Sequence, residues 1–144
     1  MKIFRIIGFL VVVYLLTIMI TITCFATTID RVVDGDTFII KNPKPPADLM
    51  QKAIKRHRLV GIDTPESTPQ HAKCKKEIEL GLKAKQFTNN FVKDGIDIVY
   101  IELDKYGRFL VHITKGNLDL GDELVKNGLA VYYDGGTKTK NWCK

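Results

Sequence analysis

Two short acidic segments contain the residues of this sequence that are best suited to chemistry. Asp34 and Asp36 flank a glycine, and Asp63 and Glu66 flank a Thr-Pro pair. Carboxylate oxygens are the ligands that Ca²⁺ and Mg²⁺ prefer, and carboxylates brought together repel one another unless a cation joins them. The segments therefore indicate either two ordinary turns or, if the fold brings them together, a divalent-cation site.

Two arginines could act in the same chemistry. Arg58 lies shortly before Asp63, and Arg108 follows the turn at Asp104–Gly107. A planar guanidinium can donate to two phosphate oxygens, and two guanidiniums beside a metal ion would stabilise the charge that develops on phosphorus during hydrolysis. On the residues alone, a pair of exposed strand arginines remains the alternative. Structural roles, solvated or half-buried, are expected for the histidines, which lack metal-ligand spacing: His57, His71 and His112.

The first half of the chain is predicted to be mainly β-structure. Thr28–Val33 and Thr37–Lys41 are rich in β-branched residues, and the Asp-Gly pair between them is a strong hairpin signal. Asn42–Pro46 is rich in proline and is predicted to be a loop. Ala47–Arg56 fits either a short helix or the approach to a third strand, which we place at Arg58–Ile62.

The second half alternates helices and strands. Glu77–Val92 has one apolar helical face and is followed by a glycine stop signal, so a helix is predicted. Ile96–Leu103 and Arg108–Thr114 are predicted strands, and Asp119–Asn127 is a predicted short helix. This order is typical of a five-stranded OB-fold β-barrel with two to three helices, a mainly β fold of the α+β class. The order alone leaves other α+β arrangements open.

Residues 1–26 have the layout of a secretory signal peptide. Lys2 and Arg5 precede Ile6–Thr23, which carries no charge, and a small-x-Ala pattern ends at Ala26. We therefore expect a secreted or periplasmic protein whose domain is residues 27–144. The uncharged run is also long enough to span a bilayer, so an uncleaved membrane anchor is the main alternative, with lipidation of the nearby cysteine as a third.

Length and charge restrict the partners of this domain. A chain of 144 residues is enough for one domain of ordinary size. Subtracting Lys2 and Arg5 from the net charge of +6 leaves +4 on residues 27–144, which suits a polyanionic partner. Nothing in the sequence suggests more than a monomer.

Two cysteines, Cys74 and Cys143, follow the predicted cleavage site. An even pair in an exported chain favours a disulfide, because compartments outside the cytoplasm are oxidising. Such a bridge would tie the C-terminal segment to the middle of the domain. A metal-binding pair is the alternative, although neither a CxxC motif nor a histidine pair accompanies the two cysteines.

Four segments, taken in order, carry a family resemblance. They are Arg31–Thr37 (RVVDGDT), Arg58–Glu66 (RLVGIDTPE), Asp104–Arg108 (DKYGR) and Leu124–Ala130 (LVKNGLA). Across essentially all of residues 27–144 the chain resembles the thermonuclease family of staphylococcal nuclease-like proteins, and its tail resembles a bacterial subgroup. The resemblance implies a Ca²⁺-dependent nuclease that hydrolyses DNA and RNA with low sequence specificity and leaves 3′-phosphate ends.

The resemblance also implies roles for the acidic segments. Asp36 and Asp63 match positions whose carboxylates bind Ca²⁺. Thr64 matches a position that offers its backbone carbonyl to the ion, and Asp34 matches a nearby acidic position that supports the metal site. Glu66 matches the residue assigned as the general base, which activates a water molecule for attack on phosphorus.

The basic segments receive roles in the same way. Arg58 and Arg108 match arginines that bind the phosphate and stabilise the transition state, and Lys105 and Tyr106 match turn residues beside the bound nucleotide. A non-catalytic OB-fold module that binds single-stranded nucleic acid is the alternative function, because fold alone does not establish catalysis. The nuclease interpretation is favoured by one complete set of residues: Asp36, Arg58, Asp63, Glu66 and Arg108.

Overall fold

The structure is a computed structural model that describes residues 28–50 and 56–144. The predicted signal peptide or membrane anchor at residues 1–26 lies outside the described residues. Within the described ranges, no helix is both long and apolar enough to cross a membrane.

Eight strands and three helices make up the described part of the chain. The strands are β1 (Thr28–Asp34), β2 (Thr37–Lys41), β3 (Arg56–Leu59), β4 (Ile62–Asp63), β5 (Asp97–Leu103), β6 (Phe109–Lys115), β7 (Leu118–Asp119) and β8 (Val131–Tyr132). The helices are α1 (Ala47–Met50), α2 (Lys75–Phe91) and α3 (Leu120–Lys126).

The longer strands form one curled mixed sheet. Its order is β1-β2-β3-β6-β5, with β7 paired to β6, while β4 and β8 form a separate two-stranded pair. Neighbouring strands in the large sheet are antiparallel except β3 and β6, which run parallel with His57 opposite Phe109. This arrangement with three helices confirms the predicted α+β OB-fold.

The first hairpin agrees with its sequence signal. Strand β1 extends to Asp34, which pairs with Thr37, so the tight turn itself is formed by Gly35 and Asp36. The side chains of Phe38 and Ile40 on β2 are buried in the core. The hairpin therefore places the acidic turn at one end of a strand whose other residues anchor it in the core.

The predicted strand at Arg58–Ile62 is only partly correct. Strand β3 begins earlier, at Arg56, and ends at Leu59, and a turn precedes the short strand β4. Gly61 in this turn has a φ angle of 74°, a left-handed conformation that glycine adopts readily and that interrupts an extended strand. The break turns the chain so that Asp63 lies on a different strand from Arg58.

Helix α2 begins two residues before the predicted position, because its N-terminus is capped. The backbone N–H of Glu77 donates to the Cys74 sulfur at 3.4 Å, and the Glu77 carboxylate accepts from the Lys73 N–H at 2.7 Å. These bonds satisfy N–H groups that an uncapped helix start would leave without partners. The helix packs against β1 and α3.

The hydrophobic core lies between the curled sheet and the helices. Its fully buried side chains include Phe38, Val111, Ile113, Leu120 and Leu124. Burying a side chain of this size stabilises the fold by roughly 1.5–3 kcal/mol. His57 belongs to this core: it is fully buried, and its ring stacks on Phe109 with centroids 5.0 Å apart.

Candidate active site

The two acidic segments of the sequence meet in the folded chain. Asp36 in the first hairpin turn and Asp63 on β4 are both buried, with 3% and 4% of their surface exposed. The Thr64 N–H donates to Asp36 Oδ2 at 3.1 Å, and the Thr37 hydroxyl donates to Asp36 Oδ1 at 2.8 Å. The turn and the end of β4 are thus joined directly through the Asp36 carboxylate.

Arg58 lies between the two buried carboxylates. Its Nη1 is 3.0 Å from Asp36 Oδ2, and its Nη2 is 2.9 Å from Asp63 Oδ1. Burial alone would lower the pKa of Arg58, but the adjacent carboxylates of Asp36 and Asp63 raise it above its ordinary value. The guanidinium therefore stays charged and holds the two aspartates together.

Lys138 is a member of this group that sequence reasoning missed. Its Nζ lies 2.8 Å from Asp63 Oδ1 and 3.4 Å from Glu66 Oε1. Burial would lower the pKa of Lys138, but the Asp63 and Glu66 carboxylates raise it. Its position in an irregular tail gave no periodic signal, and only the predicted disulfide indicated that this tail returns to the domain.

Arg108 is held by the turn that precedes it. The Asp104 carboxylate accepts from the Arg108 Nε at 2.7 Å and from the backbone N–H groups of Tyr106 and Arg108 at 2.8 and 3.0 Å. Burial would raise the pKa of Asp104, but these donors and the Arg108 charge lower it. Asp104, which sequence reasoning treated only as a turn residue, thus fixes the direction of Arg108.

The same turn presents an aromatic ring to solvent. Tyr106 is 65% exposed, with Lys105 Nζ at 5.2 Å and Arg108 Cζ at 5.5 Å from its ring centroid. An exposed ring flanked by cations offers a flat stacking surface next to positive charge.

Most of the predicted site residues line two adjoining pockets, and the buried Asp63 lies beneath them against Arg58 and Lys138. An open cleft of about 780 Å³ is lined by Arg58, Glu66, Asp104, Lys105, Tyr106, Arg108, Tyr133 and Lys138, among others. A smaller pocket of about 210 Å³ shares Arg58, Glu66 and Arg108 with it and adds Asp34, Asp36, Thr64 and His71. The exposed His71 therefore lies beside the site, a location that its sequence context did not indicate.

Helix α2 supports the two acidic loops from behind. The Thr88 hydroxyl donates to the Gly35 carbonyl at 2.6 Å, and both groups are buried. A Cβ atom at Gly81 would lie 2.4 Å from the Glu66 carbonyl oxygen, so the helix and the Glu66 backbone are in direct contact. The Ser67 hydroxyl also donates to the Asp34 carboxylate, which ties the loop after β4 to the first hairpin.

The donor set suits a hard divalent cation. Asp36 and Asp63 supply buried carboxylates, and the Thr64 backbone is joined to Asp36 through its N–H. Two cationic groups, Arg58 and Lys138, lie against these carboxylates, which shows that the position attracts positive charge. Oxygen ligands of this kind are those that Ca²⁺ takes in proteins, so Asp36, Asp63 and Thr64 could hold it.

Cys74 and Cys143 form a disulfide in the structure, with Cα atoms 6.0 Å apart. Glu77 lies close to both sulfur atoms, but sulfur atoms bonded to each other are not available as thiolate ligands. The bridge joins the C-terminal segment to the N-terminus of α2.

Known proteins share this sequence pattern. A family model described as "Staphylococcal nuclease homologue" matches residues 56–142. Endonuclease YhcR of Bacillus subtilis (strain 168) is 33% identical over 113 residues, which cover 73% of this chain and 9% of that protein. The thermonuclease of Staphylococcus intermedius is 33% identical over 105 residues, covering 71% of this chain and 56% of that protein.

The chain thus spans only part of the length of these relatives. The family model is matched by residues 56–142 of this chain, and these include most of the residues that line the two pockets. Because it covers more than half of the sequence, the chain belongs to the staphylococcal nuclease homologue family.

Proposed function

We propose that this protein is a Ca²⁺-dependent nuclease that hydrolyses phosphodiester bonds of DNA and RNA with low sequence specificity and leaves 3′-phosphate ends. One observation carries the proposal: Arg58, Glu66 and Arg108 converge on one open cleft beside the buried carboxylates of Asp36 and Asp63. The names of the two relatives, an endonuclease and a thermonuclease, support the same class of reaction.

The residues of the cleft divide the chemistry among them. Glu66 is 30% exposed at its side chain and can take a proton from an attacking water molecule, a step that contributes about 10²–10⁴-fold to a rate. Arg58 and Arg108 donate to the phosphate oxygens on which charge accumulates. When bound by Asp36, Asp63 and Thr64, with Asp34 supporting the site, Ca²⁺ supplies Lewis-acid polarisation of the phosphoryl group.

The turn after β5 binds the nucleotide in this proposal. Lys105 brings positive charge to the backbone of the substrate, and the exposed ring of Tyr106 provides a surface on which a base stacks. Such stacking contributes about 1–3 kcal/mol per base and tolerates every base type. Low sequence specificity follows from contacts of this kind.

The proposed location is outside the cytoplasm. The support is the disulfide between Cys74 and Cys143, because such bonds persist in oxidising compartments. We expect the exported protein to begin near residue 27, and N-terminal sequencing of material recovered from the periplasm or medium tests this. An exported form that retains residues 1–26 would favour the membrane-anchor alternative.

The activity is tested by digestion of single-stranded DNA and RNA with the purified protein, with Ca²⁺ and with excess chelator. We expect cleavage only with Ca²⁺ and a fall of at least about 100-fold in Glu66→Gln, the lower end expected for loss of a general base. Glu79→Gln, an exposed substitution on α2, is the matched control and should retain wild-type activity. Product ends that phosphatase treatment makes extendable by a polymerase would identify 3′-phosphates.

The same assay separates the two functions considered for this fold. Binding of single strands without cleavage under every metal condition would identify a nucleic-acid-binding OB-fold module and overturn the nuclease proposal. Equal activity of Glu66→Gln and Glu79→Gln would leave the nuclease in place but remove Glu66 as the general base.

A further inference from the structure

Lys138 places a positive charge inside the carboxylate group, although it belongs to the C-terminal segment. Its Nζ lies within 2.8 Å of Asp63 Oδ1 and 3.4 Å of Glu66 Oε1, and its side chain is 48% exposed. It lies outside the four segments that carry the family resemblance, so that resemblance assigns no role to it. The ammonium group thus bridges the carboxylates of Asp63 and Glu66.

Lys138 changes the net charge of this group of side chains by one unit. The three carboxylates of Asp36, Asp63 and Glu66 are compensated by Arg58 and Lys138. Arg108 is paired with its own carboxylate, Asp104, at 2.6 Å. Counting only Asp36, Asp63, Glu66, Arg58 and Lys138, the formal net charge is −1 with the ammonium group in place and −2 without it.

The chain holds Lys138 near this position from both sides. Before it, β8 pairs with β4 so that Val131 lies opposite Asp63, and the Tyr133 N–H donates to the Gly61 carbonyl at 2.9 Å. After it, Cys143 is bonded to Cys74 at the start of α2. A group tethered at both ends stays at a high effective concentration near its partner.

We propose that Lys138 is a tethered cation that competes with the divalent metal ion for Asp63 and thereby sets the metal affinity of the site. This inference rests on the proposed metal-dependent function. The competition arises because an ammonium group and a metal ion cannot both lie at bonding distance from Asp63 Oδ1 without strong repulsion. A weakened site would respond to Ca²⁺ at roughly 10⁻⁴–10⁻³ M, the range of extracellular modules.

The test is a calorimetric titration of CaCl₂ into the purified protein and three variants. Lys138→Met removes the charge and keeps the length of the side chain, and we expect its Kd for Ca²⁺ to be about tenfold lower than that of the wild type, for loss of one partly screened charge at close range. Lys138→Arg keeps the charge and should bind like the wild type. Lys140→Met is the matched control, because Lys140 lies over the Trp142 ring on the same tail.

A second comparison tests the tether. Reduction of the disulfide should lower the Kd of the wild type towards that of Lys138→Met and leave the Kd of Lys138→Met unchanged. Equal Kd values for the wild type and all three variants would overturn the competition while leaving the proposed nuclease intact. Absence of Ca²⁺ binding in all four proteins would overturn the proposed metal chemistry, and the competition with it.

Discussion

Arg58 combines two tasks at a single residue. It donates to the carboxylates of Asp36 and Asp63 and to the Ile62 carbonyl, yet only 12% of its side chain is exposed. A guanidinium has five N–H donors, so contacts to the protein leave capacity for a phosphate oxygen. The residue that we propose to bind the substrate therefore also bridges the two buried aspartates.

This double role predicts a loss of stability that Ca²⁺ partly reverses. Arg58→Leu leaves the buried Asp36 carboxylate without its cation and Asp63 with Lys138 alone, and breaking such a buried pair costs about 3–5 kcal/mol. We expect the free energy of unfolding to fall by about that amount without metal, and saturating Ca²⁺ to reduce the difference, because a bound ligand stabilises the native state. Urea denaturation with and without Ca²⁺ measures both effects.

The control for this experiment is Arg31→Leu, an exposed arginine on β1. A surface substitution of this kind should change the free energy of unfolding by no more than about 0.5 kcal/mol. The prediction is contradicted if both variants lose the same free energy of unfolding, or if Ca²⁺ changes the free energy of unfolding of both variants equally. The charge of Arg58 would then not be what stabilises the buried aspartates.

Asp104 gives a prediction that depends on pH. Its pKa is lowered below the ordinary value of 3.8 in the folded protein, so its stabilising contribution is complete above that value and is lost as the pH falls through the lowered pKa. We expect Asp104→Asn to be less stable than the wild type at neutral pH, with a difference that shrinks below pH 3.8. Urea midpoints measured from pH 2 to 7 test this, and a difference that stays constant with pH would contradict it.

At the scale of elements, local signals were sufficient for some parts of the fold. The hairpin of β1 and β2 and the helix α2 were predictable, because an Asp-Gly pair and an apolar period of 3.6 are properties of short segments. The parallel pairing of β3 with β6 and the pairing of β4 with β8 were not, because they join segments far apart in the chain. Strands of two residues such as β4 and β8 also carry no periodic pattern.

The same distinction applies to the site. Most of the residues placed by resemblance lie in turns and at strand ends, and the fold brings them to adjoining pockets. Lys138 and Asp104 were missed for different reasons. Lys138 lies in a tail that a long-range crosslink returns to the domain. Asp104 acts through hydrogen bonds within its own turn, and an aspartate at this place in the sequence looks the same as one in an ordinary turn.

The packing of α2 against the Glu66 loop yields a prediction for an element. Gly→Ala inside a helix normally stabilises by roughly 0.5–1 kcal/mol. At Gly81 the added Cβ would lie 2.4 Å from the Glu66 carbonyl oxygen and 2.7 Å from the Ser67 nitrogen, both backbone atoms, so one element must move. We expect Gly81→Ala to destabilise the protein by about 1–3 kcal/mol, the usual cost of overpacking, and to lower kcat.

The neighbouring position provides the control for this substitution. Leu82→Ala changes a side chain that is 52% exposed on the same helix, so it should leave kcat unchanged. Thermal or urea unfolding gives the stability of each variant, and single-stranded DNA digestion gives kcat. A Gly81→Ala protein that is more stable than the wild type and fully active would show that the helix and the loop separate without consequence.

For the whole molecule, the disulfide determines whether the C-terminal segment belongs to the domain. Beyond β8, Trp142 is buried with 8% exposure, while Thr137 to Asn141 are exposed. The Lys76 Nζ donates to the Lys144 carbonyl at 2.6 Å. Lys138 adds ion pairs with Asp63 and Glu66, and the bond between Cys74 and Cys143 is the covalent link to which we attribute the fixed position of the segment.

Removing the bond should therefore cost stability and free the tail. The sequence separation of the two cysteines is 69 residues, for which the chain-entropy relation gives about 4 kcal/mol. Cys74→Ser/Cys143→Ser is the suitable variant, because serine keeps an N-cap oxygen at the start of α2. We expect its free energy of unfolding to fall by about 4 kcal/mol and its Trp142 fluorescence to shift to the red before the far-ultraviolet signal of the sheet changes.

Reductant should produce the same shift in the wild type and none in the variant. A variant whose Trp142 emission matches the oxidised wild type would mean that packing of the tail, not the covalent bond, completes the domain.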